Sequence, residues 1–305
     1  MLAALISLAS GSAAAFPGFF VSKTDAKRTI HTAQYVILTN GDRSVINIMA
    51  DYEGPLDPFA VVFVVPEDVT EERLRTLRRE FVDRVDQLSA PRFHEWYEED
   101  PCDPSEPVQL WEMSKKARSD TAFLGGGDTG KSKVPREMLL NFNLDYKKQA
   151  EYTFTFLEPE DSLSAWLTER GYKISDRAVK DVQQYVDQGS KVVVGEVNPN
   201  KIELIGGDRS ILSPIQFWTE KSYTKLPARL ALNSLDKHQE LLIYVLHPDK
   251  RFETKNYKTV LVPSNLHVSP KVEERMGEFY TALYDRIDSK FPSSFVAEYA
   301  WTTED

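Results

Sequence analysis

The stretch FAVVFVVP, Phe59 to Pro66, is eight residues long and carries no polar side chain. Strands with one wet face alternate apolar and polar residues, so an unbroken apolar run of this length predicts a central, buried strand. Its surroundings supply candidate neighbours. Upstream, TIHTAQYVILTNGDRSVINIMADY contains two β-rich runs on either side of Asn40-Gly41, and both of these residues tolerate positive φ, which predicts a hairpin. Downstream, Asp68 and Glu71 have capping-box spacing, and Leu74, Leu77, Phe81, Val85 and Leu88 recur with helical period. A helix starting near Asp68 is expected. A second, short helix is expected over PRFHEWYEE, with Pro91 in its first turn.

From Asp100 to about Gln149 the pattern breaks. DPCDPSEP is acidic and Pro-rich, and ARSDTAFLGGGDTGKSKVP is polar with three consecutive glycines, a composition that marks connecting segments. Regular patterning resumes with the strand YTFTFL and two helices stopped by glycine, Asp161 to Arg170 before Gly171 and Ser175 to Gln188 before Gly189. Strands are expected at KVVVGEV, SPIQFWTE, PARLALN, ELLIYVL and YKTVLVP. A last helix starts at Ser269-Pro270, with Val272, Met276, Phe279, Leu283 and Ile287 on one face, and SFVAEYAW reads as a terminal strand. Strands outnumber helices and do not alternate with them, so the expected class is α+β and β-rich. The expected organisation is two packed mixed segments, 16–99 and 150–305, joined by an irregular Pro/Gly-rich linker or excursion over 100–149, with a long C-terminal helix.

The first fifteen residues, MLAALISLASGSAAA, are uncharged and end in Ala13-Ala14-Ala15. An apolar stretch followed by an A-x-A site is a signal-peptide pattern, which predicts cleavage between Ala15 and Phe16 and an extracytoplasmic address, periplasmic or secreted. The stretch falls short of the ~20 apolar residues that span a bilayer. No other stretch is long and apolar enough to span a membrane, so no membrane span is expected in the mature chain. The formal net charge of −10 belongs to that mature part. It repels phosphate backbones, which excludes nucleic acid as a partner and disfavours an anionic membrane surface. Cys102 is the single cysteine, so there is no intramolecular disulfide framework. Its acidic setting, EEDPCDP, disfavours the thiolate, and an unpaired thiol is expected.

Several motifs tempt a catalytic assignment. GGGDTGKS, Gly125 to Ser132, has the spacing of a phosphate-cradling loop. Such a loop needs a buried strand before it and a helix beginning at its Gly-Lys-Ser. Only SDTAFL precedes this one, and Pro135 falls inside the first turn of the required helix, where it has no amide to donate. A linker is the better assignment. LHPDK, Leu246 to Lys250, has the His-Pro-Asp of J-domain co-chaperones, but it follows a strand pattern rather than a helix and is expected as a turn. HEWYE, His94 to Glu98, approaches the metalloprotease H-E-x-x-H with Glu98 in place of the second His. His94 and Glu98 could share a helix face and bind zinc, yet a third ligand is needed and His31, His238, His247 and His267 are scattered. No G-x-S-x-G elbow occurs. No cofactor and no metal are therefore assigned, and no catalytic residue is named.

Six stretches, FPGFFVSKTDAK, YEGPLDPFAVVFVVP, VDRVDQLSAPRFHEWYEEDPC, LSAWLTERGYKI, YKTVLVPSNLHV and FVAEYAW, together resemble a bacterial domain-of-unknown-function family, number 2330, found in exported proteins. The likeness runs in order from Phe16 to about Trp301. Members typically carry a cysteine beside the Gly-Phe of the mature start, where this chain has Phe16-Pro17-Gly18-Phe19. That departure leaves Cys102 without an evident partner and argues against a lipid-anchored N-terminal cysteine. The resemblance implies an extracytoplasmic protein and carries no catalytic residues over. Two hypotheses stand. One is a non-enzymatic exported binding or interaction module of the cell envelope, its partner an envelope protein or ligand not named by the sequence. The other is a cryptic envelope enzyme, a metal-assisted hydrolase using His94 and Glu98.

The linker assignment for GGGDTGKS predicts that Lys131→Ala changes stability by no more than about 0.5 kcal/mol, as ordinary surface substitutions do. ATP and GTP should leave the melting temperature where it is. A nucleotide-dependent rise abolished by Lys131→Ala would reinstate the phosphate loop.

Overall fold

The computed structural model describes residues 16–26, 28–90, 151–158, 162–202, 204–207, 209–234, 239–263 and 266–300. In chain order the first elements are β1 (Gly18–Ser22), β2 (Thr32–Asn40), β3 (Arg43–Glu53), β4 (Phe59–Pro66), β5 (Leu74–Thr76) and α1 (Glu80–Ser89). Then come β6 (Tyr152–Leu157), α2 (Leu163–Glu169), α3 (Asp176–Val186), β7 (Ser190–Val197), β8 (Leu204–Gly206), β9 (Arg209–Ile211) and β10 (Ile215–Thr219). The last are β11 (Glu240–Leu246), β12 (Lys258–Leu261), α4 (Met276–Lys290) and β13 (Ser294–Ala297). The fold is α+β and β-rich.

The apolar run Phe59 to Pro66 is β4, buried along its whole length. It lies inside an antiparallel four-stranded sheet of order β1-β4-β7-β6. Phe59, Val61, Phe63 and Val65 face a core shared with Tyr35, Ile46, Ile48, Tyr52, Ile215 and Phe217 of a second sheet. Ala60, Val62 and Val64 face the other way, against Leu163 and Leu167 of α2 and Ala178 and Val182 of α3. The second sheet has seven strands on the path β11-β2-β3-β10-β5, with β9 pairing β3 and β8 pairing β9. Helices, four-stranded sheet and seven-stranded sheet thus form three layers. Each fully buried Val or Phe in the middle layer contributes on the order of 1.5–3 kcal/mol.

The hairpin forms, one residue later than the dipeptide suggested. Asn40 pairs with Arg43, so the loop is Gly41-Asp42, with Gly41 at φ +60°. A two-residue loop of this kind needs positive φ at its first residue only, and glycine supplies it without steric cost. Helices α2 and α3 start where expected. Ser162 accepts from the Ala165 amide at 3.3 Å and Ser175 from the Ala178 amide at 3.2 Å, while Gly171 and Gly189 take positive φ just past their ends. The His-Pro-Asp sequence is a turn after β11, where His247 Nδ1 accepts from the Asp249 amide at 2.9 Å.

Three local expectations are corrected. No helix starts at Asp68: a 3-10 turn (Glu71–Arg73) leads into β5, and α1 begins only at Glu80. Leu74 and Thr76 pair with Phe217 and Ile215 of β10, so sheet pairing overrides the helical period. PARLALN is a 3-10 helix (Ala228–Asn233) rather than a strand. Its Leu230 and Ala231 are buried, and the following Ser234 hydroxyl accepts from the Phe20 amide of β1 at 2.8 Å. The C-terminal helix is not long. A 3-10 turn (Pro270–Arg275), capped by Ser269, carries the first part of the apolar stripe, and α4 supplies the remaining 15 residues. Arg275, at φ −128° and ψ 35°, breaks the helical backbone between them.

Strands from residues 16–99 and 150–305 interleave: β4 sits between β1 and β7, and β10 between β3 and β5. The described residues group into two compact units, 16–83 with 151–250, and 84–90 with 251–300. The expected linker over 100–149 lies outside the described residues. In the second unit β12 and β13 form a two-stranded parallel sheet beside α4.

Asp68 has a tertiary role in place of the expected cap. Its carboxylate accepts from the Thr219 hydroxyl at 2.6 Å, the Glu220 amide at 3.0 Å and Arg73 at 2.9 Å. Burial alone would raise its pKa, but the hydrogen bonds from Thr219, Glu220 and its own amide, with Arg73 alongside, hold it below the ordinary 3.8. A carboxylate with a lowered folded-state pKa adds stability above its unfolded value, and that stability is lost as pH falls through the folded one. Asp68→Asn should therefore lower the melting temperature at neutral pH, with the gap to wild type closing toward about pH 2. A gap of constant size across that range would show that the charge contributes nothing.

Candidate functional site

Ala15, His94, Glu98, Cys102, His238 and the GGGDTGKS loop lie outside the described residues. Phe16, the expected first residue after cleavage, is buried in the inter-sheet core, its ring 6.1 Å from that of Phe20. The structure does not bring the described histidines together. His31 Nε2 is 2.6 Å from Glu53 Oε2, His247 serves its turn, and His267 is exposed. Among the described residues no group of three or more His, Cys, Asp or Glu side chains could hold a metal ion.

The densest polar grouping lies on the outer face of the seven-stranded sheet, opposite the inter-sheet core. Period-2 alternation places Thr32, Gln34 and Val36 of β2 there, with Asn47, Met49 and Asp51 of β3 and Gln216 of β10. All of them are buried. Asp51 is the hub of one end. Its Oδ1 accepts from the amides of His31 at 2.7 Å and Thr32 at 2.9 Å, and its Oδ2 from Arg209 at 3.0 Å. Thr32 donates in turn to Glu240 at 3.3 Å. Further along, Arg75 Nε donates to Gln216 Oε1 at 2.6 Å and Gln216 Nε2 to Asn47 Oδ1 at 2.6 Å. Asn47 Nδ2 completes the row on the Val36 carbonyl at 3.4 Å.

Neutral amides cannot transfer protons near neutral pH, so this row holds strands in register and does no acid–base chemistry. The half-exposed His31–Glu53 pair could move a proton. Among the described residues, however, no serine, threonine or cysteine hydroxyl or thiol bonds to the His31 ring, so no activated nucleophile is assembled there. Gln34 departs from the row's saturation: it is 1% exposed, and among the described residues neither its Oε1 nor its Nε2 has a hydrogen-bond partner.

A different kind of surface occurs in the second unit. Lys258 pairs with Ser294 and Leu261 with Ala297 across the β12–β13 sheet. One face of that sheet meets α4, with Glu298 accepting from the Tyr284 hydroxyl and Lys258 lying 4.4 Å from the Phe291 ring centre. Burial, then the Glu298 carboxylate, push the Tyr284 pKa far above its ordinary value, so this phenol stays a donor. The opposite face carries Tyr257, Thr259, Leu261, Phe295, Ala297 and Tyr299, with the Tyr257 and Phe295 rings edge to face at 5.1 Å. Among the described residues, no strand position on this face carries a charge. Leu261 is 69% exposed, Tyr257 54% and Tyr299 40%.

Residues 11–304 match the family described as an uncharacterized protein conserved in bacteria, domain of unknown function 2330. The chain belongs to this family. Neither a curated protein nor a solved structure matches it. Family 2330 therefore brings membership without residue roles, and the roles come from the geometry of this member. Its amide row was not recognised from the sequence, although each strand carries a readable mark. Gln34, Asn47 and Gln216 each stand between apolar residues of their strands, on the side facing away from the inter-sheet core. The open face is legible in hindsight as the period-2 series Tyr257, Thr259, Leu261.

A buried amide with both groups unsatisfied costs about 1–3 kcal/mol. Gln34→Leu in this family 2330 chain should therefore raise stability by roughly 1 kcal/mol in urea denaturation, whereas Gln216→Leu, which strands Arg75 and Asn47, should lower it. Loss of stability in both variants would mean that Gln34 holds a partner.

Proposed function

We propose that this family 2330 chain is a non-enzymatic exported binding module of the bacterial cell envelope, with the open face of the β12–β13 sheet as its binding surface. One observation carries this: Leu261, Tyr257 and Tyr299 are exposed together beside the part-buried Phe295, on a face where, among the described residues, no strand position carries a charge. Large apolar side chains exposed together mark interaction sites, because each regains on the order of 1.5–3 kcal/mol when a partner removes it from water. Tyrosine suits such a face, since its ring packs while its hydroxyl stays hydrated.

The extracytoplasmic address is supported by the uncharged start and Ala13-Ala14-Ala15, immediately before Phe16. The mature chain would begin at Phe16, which is buried in the inter-sheet core. The catalytic alternative, a metal-assisted hydrolase built on His94 and Glu98, draws no support from the described residues.

The test is oxidative footprinting of the chain expressed with its own start in a Gram-negative host. Mature protein cleaved between Ala15 and Phe16 is expected in the extracytoplasmic fraction. There, Tyr257, Leu261 and Tyr299 should be oxidised more slowly than in dilute purified protein, while exposed Leu56 and Leu204 should not change. Equal reactivity in both settings removes the binding face. Stoichiometric zinc in the purified protein, lost in His94→Ala, would favour the hydrolase.

A further inference from the structure

We infer that the Arg251–Phe252 peptide bond is a cleavage site for a serine endoprotease of basic specificity, the class whose primary pocket carries a carboxylate. The inference does not depend on what the open β12–β13 face binds. It rests on the segment between β11 and β12. Every residue from Pro248 to Glu253 is exposed, and residues 250–254 belong to no helix, strand, turn or bend. Among the described residues, none bonds to Lys250, Arg251 or Glu253 through backbone or side chain.

A protease must take several residues in extended form, and exposed backbone without hydrogen bonds can enter it without breaking other contacts. Bends flank this stretch. The Asp249 amide donates to His247 Nδ1 at 2.9 Å, and the Thr254 hydroxyl donates to the Tyr257 carbonyl at 3.0 Å. The chain turns at Pro248-Asp249 and again around Lys255, which leaves Lys250 to Glu253 between the bends. Lys250 follows Asp249, whose carboxylate opposes an acidic pocket, whereas Arg251 follows Lys250. Arg251 is therefore the residue that enters the pocket.

The loop from Glu220 to Leu226 is the protected counterpart. It too has no helix or strand and carries exposed lysines, Lys221 and Lys225. Its Glu220 amide, however, donates to Asp68 at 3.0 Å and its Tyr223 amide to Ser44 Oγ at 2.9 Å. Its Lys225 carbonyl accepts from the Tyr35 hydroxyl at 3.2 Å, and Lys221 pairs with Glu67. Drawing this loop into a protease breaks all of these bonds.

The step is hydrolysis. The enzyme's serine oxygen bonds to the Arg251 carbonyl carbon, the C–N bond to Phe252 breaks, and the Phe252 nitrogen takes a proton. Water then releases Arg251 as a carboxylate. The cut leaves β12, α4 and β13 together on the fragment that begins at Phe252.

The test is brief digestion of the full mature chain by trypsin, with new N-termini quantified by mass spectrometry. The Phe252 terminus should appear about tenfold or more faster than Ser222 or Leu226, the termini left by cuts after Lys221 and Lys225. Arg251→Gln, an exposed substitution, should leave the melting temperature unchanged and abolish the Phe252 terminus without slowing the other two. A Phe252 terminus no faster than Ser222 and Leu226 overturns the inference, and faster cutting after Lys250 than after Arg251 overturns the choice of bond. A glutamate-specific protease separates exposure of the segment from recognition of Arg251. It should cut after Glu253 sooner than after Glu220. Slow cutting at Glu253 overturns the exposed segment, whereas fast cutting there with slow release of Phe252 by trypsin overturns the basic specificity.

Discussion

Burial of β4 on both faces is the constraint on which the first unit depends. Phe59, Val61, Phe63 and Val65 close the core between the sheets, while Ala60, Val62 and Val64 receive α2 and α3. A single strand therefore joins three layers. Its neighbours are shaped to it at close quarters. Gly18 of β1 lies where a Cβ would come within 2.6 Å of the Val62 carbonyl oxygen and 2.8 Å of the Phe16 ring. Gly195 of β7, opposite Val61, leaves room for the stacked Tyr152–Phe154 pair, whose nearest ring carbon would be 3.0 Å from an added Cβ. Both glycines keep backbones near enough for the large aromatics to fill the remaining space.

The outer face of the seven-stranded sheet follows a different logic. Asp51, Asn47 and Gln216 form a polar network whose replacement as a whole by apolar residues would often be near neutral, whereas removing one partner strands the others. What they supply is register. A slip of one residue in β2, β3 or β10 would turn these side chains into the aromatic inter-sheet core, where their hydrogen bonds have no replacement. Asp51 does the same for the chain entering β2, tying two consecutive amides and Arg209 to one carboxylate. These are structural uses of polar chemistry.

The second unit contrasts with this saturation. Its phenols are engaged on the α4 side, where the Tyr280 and Tyr284 rings lie 5.0 Å apart and Tyr284 donates to Glu298. The other side of the same two strands carries aromatic and aliphatic groups with the exposures of an unfinished layer.

By itself the sequence determined the elements whose signals are local. These are the buried run of β4, the Gly-turned hairpin, the serine-capped and glycine-stopped helices α2 and α3, and the α+β class. Such features depend on residues within a few positions of one another, and capping, turn and period rules act over that range. Only the tertiary structure decided that Leu74 to Thr76 is a strand, because β10 offered its edge; that PARLALN coils into a 3-10 turn against β1; and that Arg275 interrupts the last helix. At the first two places contacts with residues far along the chain, β10 and β1, exceeded local propensity. The same holds for the sites. Gln34, Asn47 and Gln216 were visible as amides in apolar strands, but their alignment into one row required the β2, β3 and β10 register. Tyr257 and Leu261 alternate in sequence, yet only the packing of α4 on the opposite side determined which face of their strand stays in water.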